Sequence, residues 1–576
     1  MATRILIFMM MALAIVRCKD TETFHPDPQA AKFNASAFVE VRDVNGLPME
    51  GVEINLGSKV EYTDEDGVVY LKDVTMENST YVTAKLSGYF HGSRRFYPMP
   101  NRTEFVKIIL LSFNAIGSIQ SADGGIVNLT DGTTVQFPSN AIADLNGNEY
   151  NGTVSISAQP LNAGDPDLSY KMPGDLIGDK ENGDRGSLAS MGMVAVEMRS
   201  STGDLLQVKN GSKVEIRMHV PATMISNAPS TIPMWYFDEA TGFWKEQGQA
   251  TLDSNTYIAQ VGHFSYWNYD AWFPAVKWGG TFVYADGSPA SQVQVCISIL
   301  SLATTKCAYT NEAGVVCGLV AANELLLMEV QTPCGETILS QQIGPFSDST
   351  MTGPYTIPST SLQLTSISGT AVNCDGDPVT NGYVKIRLHD VNYYTVTDLV
   401  TGAFDLTLIN CSESEATIKA VDVTAIKQSL PLTFAFAPVI NTGAITVCEA
   451  INEFIDIEVT GYADHVVFLL PSVNIQTTHN NISASDSTQV GYKYFYAGFD
   501  GSAPGTYTTQ AFEVAFELPG TNTYVYRGNS TLTVEVTYYG GPGDYILGNV
   551  SGTVSTGPNN GNIEYPFTGT FSVLRE

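Results

Sequence analysis

A chain of 576 residues is long enough for about three to five domains, each with its own core. Hydrophobic residues make up 44% of it, which excludes disorder by composition, while charged residues are only 15%. Asp and Glu outnumber Lys and Arg 59 to 29, and the net charge of −30 excludes binding through a nucleic-acid phosphate backbone, so no nucleic-acid partner is expected.

An apolar run over residues 5–16 follows Arg4. It is too short to cross a bilayer, which takes roughly 20 residues. A basic start before a short apolar core predicts an export signal over residues 1–17. Cys18 comes next, then Lys19-Asp20-Thr21-Glu22. This order resembles a bacterial lipoprotein signal, in which the cysteine becomes the lipidated first residue; Arg17 stands where that pattern has a small residue. The resemblance implies a lipid at Cys18, the membrane as a partner through that lipid, and a place on the outer membrane or cell surface. An ordinary cleaved signal is the other reading and implies a secreted or periplasmic protein. Residues 18–36, polar and containing His25-Pro26-Asp27-Pro28, are expected to tether the anchor to the first domain.

From residue 37 onward the chain shows short alternating runs instead of helical periodicity. Residues 37–41, 81–86, 153–158, 213–219 and 531–538 are examples, separated by Asn-Gly, Asp-Gly and proline-containing turns. The expected fold class is all-β, several β-sandwich domains in series. One pattern occurs three times. The first copy has Asn45-Gly46-Leu47-Pro48, Gly51-Val52-Glu53-Ile54 and Thr63-Asp64-Glu65-Asp66-Gly67. The second has Asp286-Gly287-Ser288-Pro289, Val293-Gln294-Val295 and Thr310-Asn311-Glu312-Ala313-Gly314. The third has Asp375-Gly376-Asp377-Pro378, Val384-Lys385-Ile386, then Thr397-Asp398 and Gly402. Glycine supplies a positive φ and proline presets the following φ, so each copy predicts a turn, a strand, a second turn and another strand. The copies, over residues 37–112, 271–362 and 363–449, resemble the carboxypeptidase regulatory-like (transthyretin-like) β-sandwich. Lys85-Leu86-Ser87-Gly88-Tyr89 matches that family's late strand end. The resemblance implies non-catalytic accessory modules.

Residues 113–270 differ. Asp123-Gly124-Gly125 and Val135-Gln136-Phe137-Pro138-Ser139-Asn140-Ala141-Ile142 stand near the start, and Gly262-His263-Phe264-Ser265-Tyr266-Trp267-Asn268 near the end. This order resembles the ZU-five β-sandwich and the related segment of cartilage intermediate layer proteins. Some ZU-five proteins cut themselves inside His-Phe-Ser, so the resemblance makes His263, Phe264 and Ser265 the sharpest chemical candidate. Ser265 Oγ would attack the Phe264 carbonyl while His263 takes the proton, turning the peptide into an ester that water opens. The plainer reading is a strand end with Phe264 in the core and His263 at its edge. Residues 450–576 form a last β-rich domain. Its Gly540-Gly541-Pro542-Gly543, Ile546-Leu547-Gly548-Asn549-Val550-Ser551-Gly552-Thr553 and Thr568-Gly569-Thr570-Phe571 resemble tails of surface lipoproteins of Bacteroidota-type bacteria.

Beyond Cys18, the cysteines are Cys296, Cys307, Cys317, Cys334, Cys374, Cys411 and Cys448. None forms a Cys-x-x-Cys pair, which argues against zinc, and a cluster in an exported β-rich chain predicts disulfides. Their number is odd, so at least one stays free or pairs elsewhere, and spacing leaves the connectivity open. Asp64-Glu65-Asp66-Gly67 begins like a calcium loop but continues into Val68-Val69-Tyr70, which is strand. A solvated turn is expected there and at Asp144-Leu145-Asn146-Gly147-Asn148-Glu149, and no metal is predicted. Asp165, Asp167 and Asp175 could hold calcium only if a loop gathered them. The five tryptophans, Trp235, Trp244, Trp267, Trp272 and Trp278, read as a packed seam between the second and third domains, or else as stacking faces for a glycan or protein.

No His-Glu-x-x-His, P-loop or nucleophile-elbow motif is present, and no cofactor or substrate-directed enzyme activity is expected. The expected function is that of a lipid-anchored, non-enzymatic scaffold, binding or adhesion protein whose partner is an envelope protein or a glycan. The alternatives are a self-cleaving protein and a polysaccharide-binding accessory.

Overall fold

The structure is a computed structural model. It describes residues 32–574 apart from 65, 223, 301, 303, 334, 359–362, 389–390, 412, 426, 451–453, 461–464, 470–471, 477–478, 489–490, 519–522, 528–530, 540–544 and 557–562. The export signal, Cys18 and most of its tether, Glu65, Cys334 and the Gly540-Gly541-Pro542-Gly543 turn lie outside the described residues. Apart from the one-turn helix Leu168–Lys171 and the 3-10 turn Ile225–Asn227, the described elements are strands, so the chain is all-β.

The first sandwich comprises β1 (Phe33–Arg42), β2 (Glu53–Leu56), β3 (Lys59–Tyr62), β4 (Val68–Met76), β5 (Thr80–Lys85), β6 (Gly92–Phe96) and β7 (Thr103–Ile109). β1 begins inside the stretch expected as tether, because Phe33, Asn34 and Ala35 pair antiparallel with Met76, Thr75 and Val74 and Ala35 enters the core. β1 pairs antiparallel with β4 and parallel with β7, and the facing sheet runs β3-β2-β5-β6.

The second and third copies repeat this plan. Tyr266–Val283 pairs antiparallel with Val315–Ala321 and parallel with Thr350–Thr356. Gln363–Asn373 pairs antiparallel with Ala403–Asn410 and parallel with Val439–Val447. The repeated turn explains the repeated letters. Thr63 Oγ donates to Met49 O at 2.6 Å and accepts from Val52 N at 2.9 Å, and Thr310 does the same with Ala290 O and Val293 N at 2.6 and 3.1 Å. Gly67 then turns at φ +73°, where a Cβ would stand 2.5 Å from Val41 O, so no larger residue fits. Gly314 and Gly402 occupy the equivalent places.

Residues 113–270 belong to a larger sandwich built on Arg185–Ser200 and Tyr266–Val283. The latter serves two domains. Its first half pairs with Arg185–Ser200 and Thr231–Asp238, and residues 275–281 pair with Val315–Ala321 of the next sandwich. The boundary expected at 270/271 therefore falls inside one continuous strand.

In space the sandwiches do not follow one another as an extended string. The first docks on the three that follow. Its Phe90 and Leu111 join Leu176, Trp235 and Trp244 in one cluster, and its Ile109 joins Tyr170, Cys296 and Cys307 in another. Its Phe38 and Val68 pack with Tyr383, Tyr394 and Val421 of the fourth sandwich. This is why β1 is buried on both faces: Ala35, Ala37, Val39 and Val41 point into its own core, and Phe38, on the other face, is covered by a neighbour. By contrast, the last sheet, from Phe454–Val459 to Glu564–Leu574, has a core of its own, and among the described residues its strands pair only with one another.

Candidate functional site

The His263-Phe264-Ser265 triplet lies between Thr256–Val261 and Tyr266–Val283. Phe264 packs partly into the core, with its ring 5.7 Å from that of Phe137. His263 meets Tyr236 edge-on at 4.8 Å, and its Nε2 lies 2.8 Å from Gln247 Oε1. Burial pushes its pKa below the ordinary value, which favours the neutral imidazole. Ser265 Oγ donates to Phe237 O at 2.8 Å, and the Trp267 indole N–H donates to His263 O at 3.0 Å. The histidine ring and the serine hydroxyl are thus each engaged by a different neighbour.

The acidic candidates face amides or cations instead of one another. Asp64 Oδ1 accepts from the amides of Asp66 and Val68, both at 3.0 Å, which shapes the turn. The Asp66 carboxylate is met by Lys385, with Arg387 4.0 Å away, both from the fourth sandwich. In an exposed turn the Asn148 side-chain amide donates to Asp144 Oδ2 at 3.0 Å and the backbone amides of Asn148 and Asn146 donate to Oδ1, and those bonds hold its carboxyl below the usual range. Asp165 pairs with Lys171 at 2.7 Å, Asp167 lies 3.9 Å from the same ammonium, and Asp175 lies 4.0 Å from Lys306. A position filled by an ammonium leaves no room for calcium.

Four tryptophans are core residues: Trp235, Trp244, Trp267 and Trp278 are at most 2% exposed. Trp272 is half-buried beneath the Lys180 ammonium, 3.7 Å from its ring centre. The seam expected between the second and third domains therefore does not describe the whole set: Trp235 and Trp244 pack with Phe90 and Leu111 of the first sandwich, Trp267 lies in the second domain's own core, and Trp278 lies in the core of the third. All six described cysteines of the cluster are disulfide-bonded. Cys296 and Cys307 pair across adjacent strands, and Cys374–Cys448 ties the first strand of the third copy to the end of its last.

Sequence reasoning missed the polar seam of the first sandwich. Arg94 donates to Ser169 O, to Gly174 O and, at 2.7 Å, to Cys307 O, reaching two other sandwiches. Glu104 accepts from Met99 N at 2.9 Å and from Asn311 Nδ2 at 3.3 Å, and burial pushes its carboxyl up to about 8. Gln292 makes a two-pronged amide pairing with the Tyr394 backbone, both bonds at 2.8 Å. The one local hint was Arg94-Arg95, two successive charges in a strand, where alternation should bury one of them.

Two cavities flank β7 and share Phe105, Lys107 and Tyr309 as walls. The first, about 90 Å³, lies among the first three sandwiches beside Arg94, Asp175 and Lys306. The second, about 120 Å³, lies among the first, third and fourth.

No family model matches the chain, and no curated protein matches it. Solved structures similar in part include a streptococcal ancillary pilin, at 12% identity over 39% of this chain and 95% of that one, with a TM-score of 0.13. The major pilin subunit BcpA of Bacillus cereus matches at 8% identity over 72% of this chain and 100% of that one, with a TM-score of 0.12. The Bacillus anthracis TIE protein matches at 11% identity over 80% and 70%, with a TM-score of 0.14. TM-scores this low mean that the chain paths do not superpose as wholes, and no functional conclusion follows from them.

Proposed function

We propose that this chain is an exported, non-enzymatic surface scaffold in which four interlocked sandwiches form a stiff platform and the last domain stands apart as a presented module. The observation that carries the reading is the bonded state of all six described cysteines of the cluster, since disulfides persist in oxidising compartments outside the cytosol. Stiffness is supported by the seam, where buried groups of one sandwich are satisfied by another. The partner is an envelope protein or a glycan, met through exposed loops. The anchor is a lipid at Cys18. The finer family reading, a Bacteroidota-type surface lipoprotein with carboxypeptidase regulatory-like copies and a ZU-five-like sandwich, is supported by the strand plan that the three copies share.

Protease treatment of intact cells tests the location: release of the chain is expected, and full protection overturns the surface assignment. Mass spectrometry of the mature N-terminus tests the anchor, and an unmodified start beyond Cys18 removes it.

A further inference from the structure

The first sandwich joins its neighbour through a sheet edge. β6 ends the sheet β3-β2-β5-β6, and its outer side is closed by the second sandwich. The Arg95 backbone amide donates to Gly174 O at 3.0 Å, and the Gly174 amide donates to Ser93 O at 3.2 Å. In the second repeat the strand in the same place is Thr337–Ile343, at the end of a four-stranded sheet beside Leu326–Gln331. In the third repeat it is Leu432–Ala435, which has four residues and lies between Pro431 and Pro438.

Thr337–Ile343 is the open one of the three. Among the described residues it pairs only with Leu326–Gln331, and Ser340, Gln341 and Gln342 are exposed. Proteins blunt an open edge with charge, proline, shortness or a cover, because its free N–H and C=O groups otherwise recruit another strand. The last strand of the facing sheet, Thr350–Thr356, carries Pro354 and a bulge. Thr337–Ile343 has neither charge nor proline. Its one irregularity, at Ile338, leaves Leu339–Ile343 in regular register with Leu326–Val330. Leu339, Gln341 and Ile343 stand opposite the core residues Val330, Met328 and Leu326, so Gln341 is exposed at a position on the core side of the sheet.

We propose that Leu339–Ile343 pairs antiparallel with the same residues of a second molecule of this chain, about a two-fold axis at Gln341, joining the two four-stranded sheets into one. A two-fold contact sets a surface against itself, so the strand must be its own complement. In this register Leu339 meets Ile343 on the core side, Ser340 meets Gln342 on the outer side, and Gln341 meets Gln341 on the axis. Charge also favours a second molecule. A surface sharing the net charge of −30 repels its own kind, whereas this strand is neutral. Glu329, opposite Ser340 on the neighbouring strand, stands three strand spacings from its counterpart, about 14 Å, beyond the Debye length of about 8 Å. The contact goes beyond the scaffold reading and pairs two platforms edge to edge.

Sedimentation equilibrium of the full chain up to about 300 µM is expected to show a monomer–dimer equilibrium with a Kd of about 10–100 µM, because five paired residues make a small contact. Gln341→Lys and Gln341→Glu each set like charges on the axis and are expected to weaken the dimer about fivefold, and mixing the two variants is expected to restore it. Gln341→Cys is expected to crosslink two molecules under oxidising conditions, since facing Cα atoms lie about 4.5–5.5 Å apart. Ser340→Cys faces Gln342 and is expected to crosslink only when mixed with Gln342→Cys. All three positions are exposed, and thermal unfolding reports whether each variant folds. The proposal is overturned if the chain stays monomeric, even where a strand of another protein binds this edge. It is also overturned if charge at Gln341 leaves the dimer unchanged, or if Gln341→Cys crosslinks no better than Ser340→Cys alone.

Discussion

The interlocked sandwiches of residues 32–450 and the last domain use the same strand grammar but are held together differently. The last domain is closed by its own apolar core, with Phe495, Phe512, Phe516 and Phe567 among its most buried side chains. The first sandwich owes part of its burial to its neighbours: Arg94 and Phe38 are satisfied or covered by other domains, and Glu104 shares its carboxylate between its own Met99 amide and Asn311 of the third sandwich. A domain that completes its own core can unfold alone. One whose buried polar groups find partners across a seam shares its stability with those partners.

Unfolding experiments can break this contrast. Calorimetry of the intact chain is expected to resolve two transitions. Phe516→Ala should lower only the transition of the last domain, by about 3–5 kcal/mol, because it empties a fully buried position. Lys385→Met leaves the Asp66 carboxylate in the seam without its ammonium, and should lower only the platform transition by about 3–5 kcal/mol. Arg94→Met should act on the same transition by about 1–3 kcal/mol for each of the Ser169 and Cys307 carbonyls that loses its donor. If any of these variants moves both transitions equally, the division of the molecule fails.

A pH series sharpens the contrast. Glu104 has a folded-state pKa raised to about 8, above its unfolded value near 4.5. The folded state thus keeps a proton that the unfolded state releases, so its contribution to stability is full below about 4.5, is lost between there and about 8, and is flat above. Burial raises Glu312 and Asp270 in the same direction. The platform transition should therefore fall on going from pH 5 to 8, and Glu104→Gln should flatten that slope, as thermal unfolding at each pH will show. The smallest expected effect concerns His263-Phe264-Ser265: a denaturing gel should give one full-length band, unchanged by Ser265→Ala, because each side chain is engaged elsewhere. Two bands would restore self-cleavage.

The three copies were legible in the sequence because a turn is a local object. Gly67, Gly314 and Gly402 meet a steric demand set by the first strand and turn of their own copy, and Thr63 and Thr310 bond to that same turn, all within one repeat. The burial of four tryptophans was legible too, since large apolar side chains seldom stay outside a core, but which sandwich covers them was not. The two cavities beside β7 were not. Lys107 and Tyr309, which wall both, are far apart in the chain, and each alone reads as an ordinary strand residue.

The strand periods, the repeated turn and the clustered cysteines needed only the amino-acid order, because backbone preference and alternation act over a few residues. Tertiary structure alone decided that Phe38 is covered, that Asp66 faces Lys385 and not calcium, and that one strand serves two sandwiches. Each of these depends on a neighbour that the local pattern does not encode.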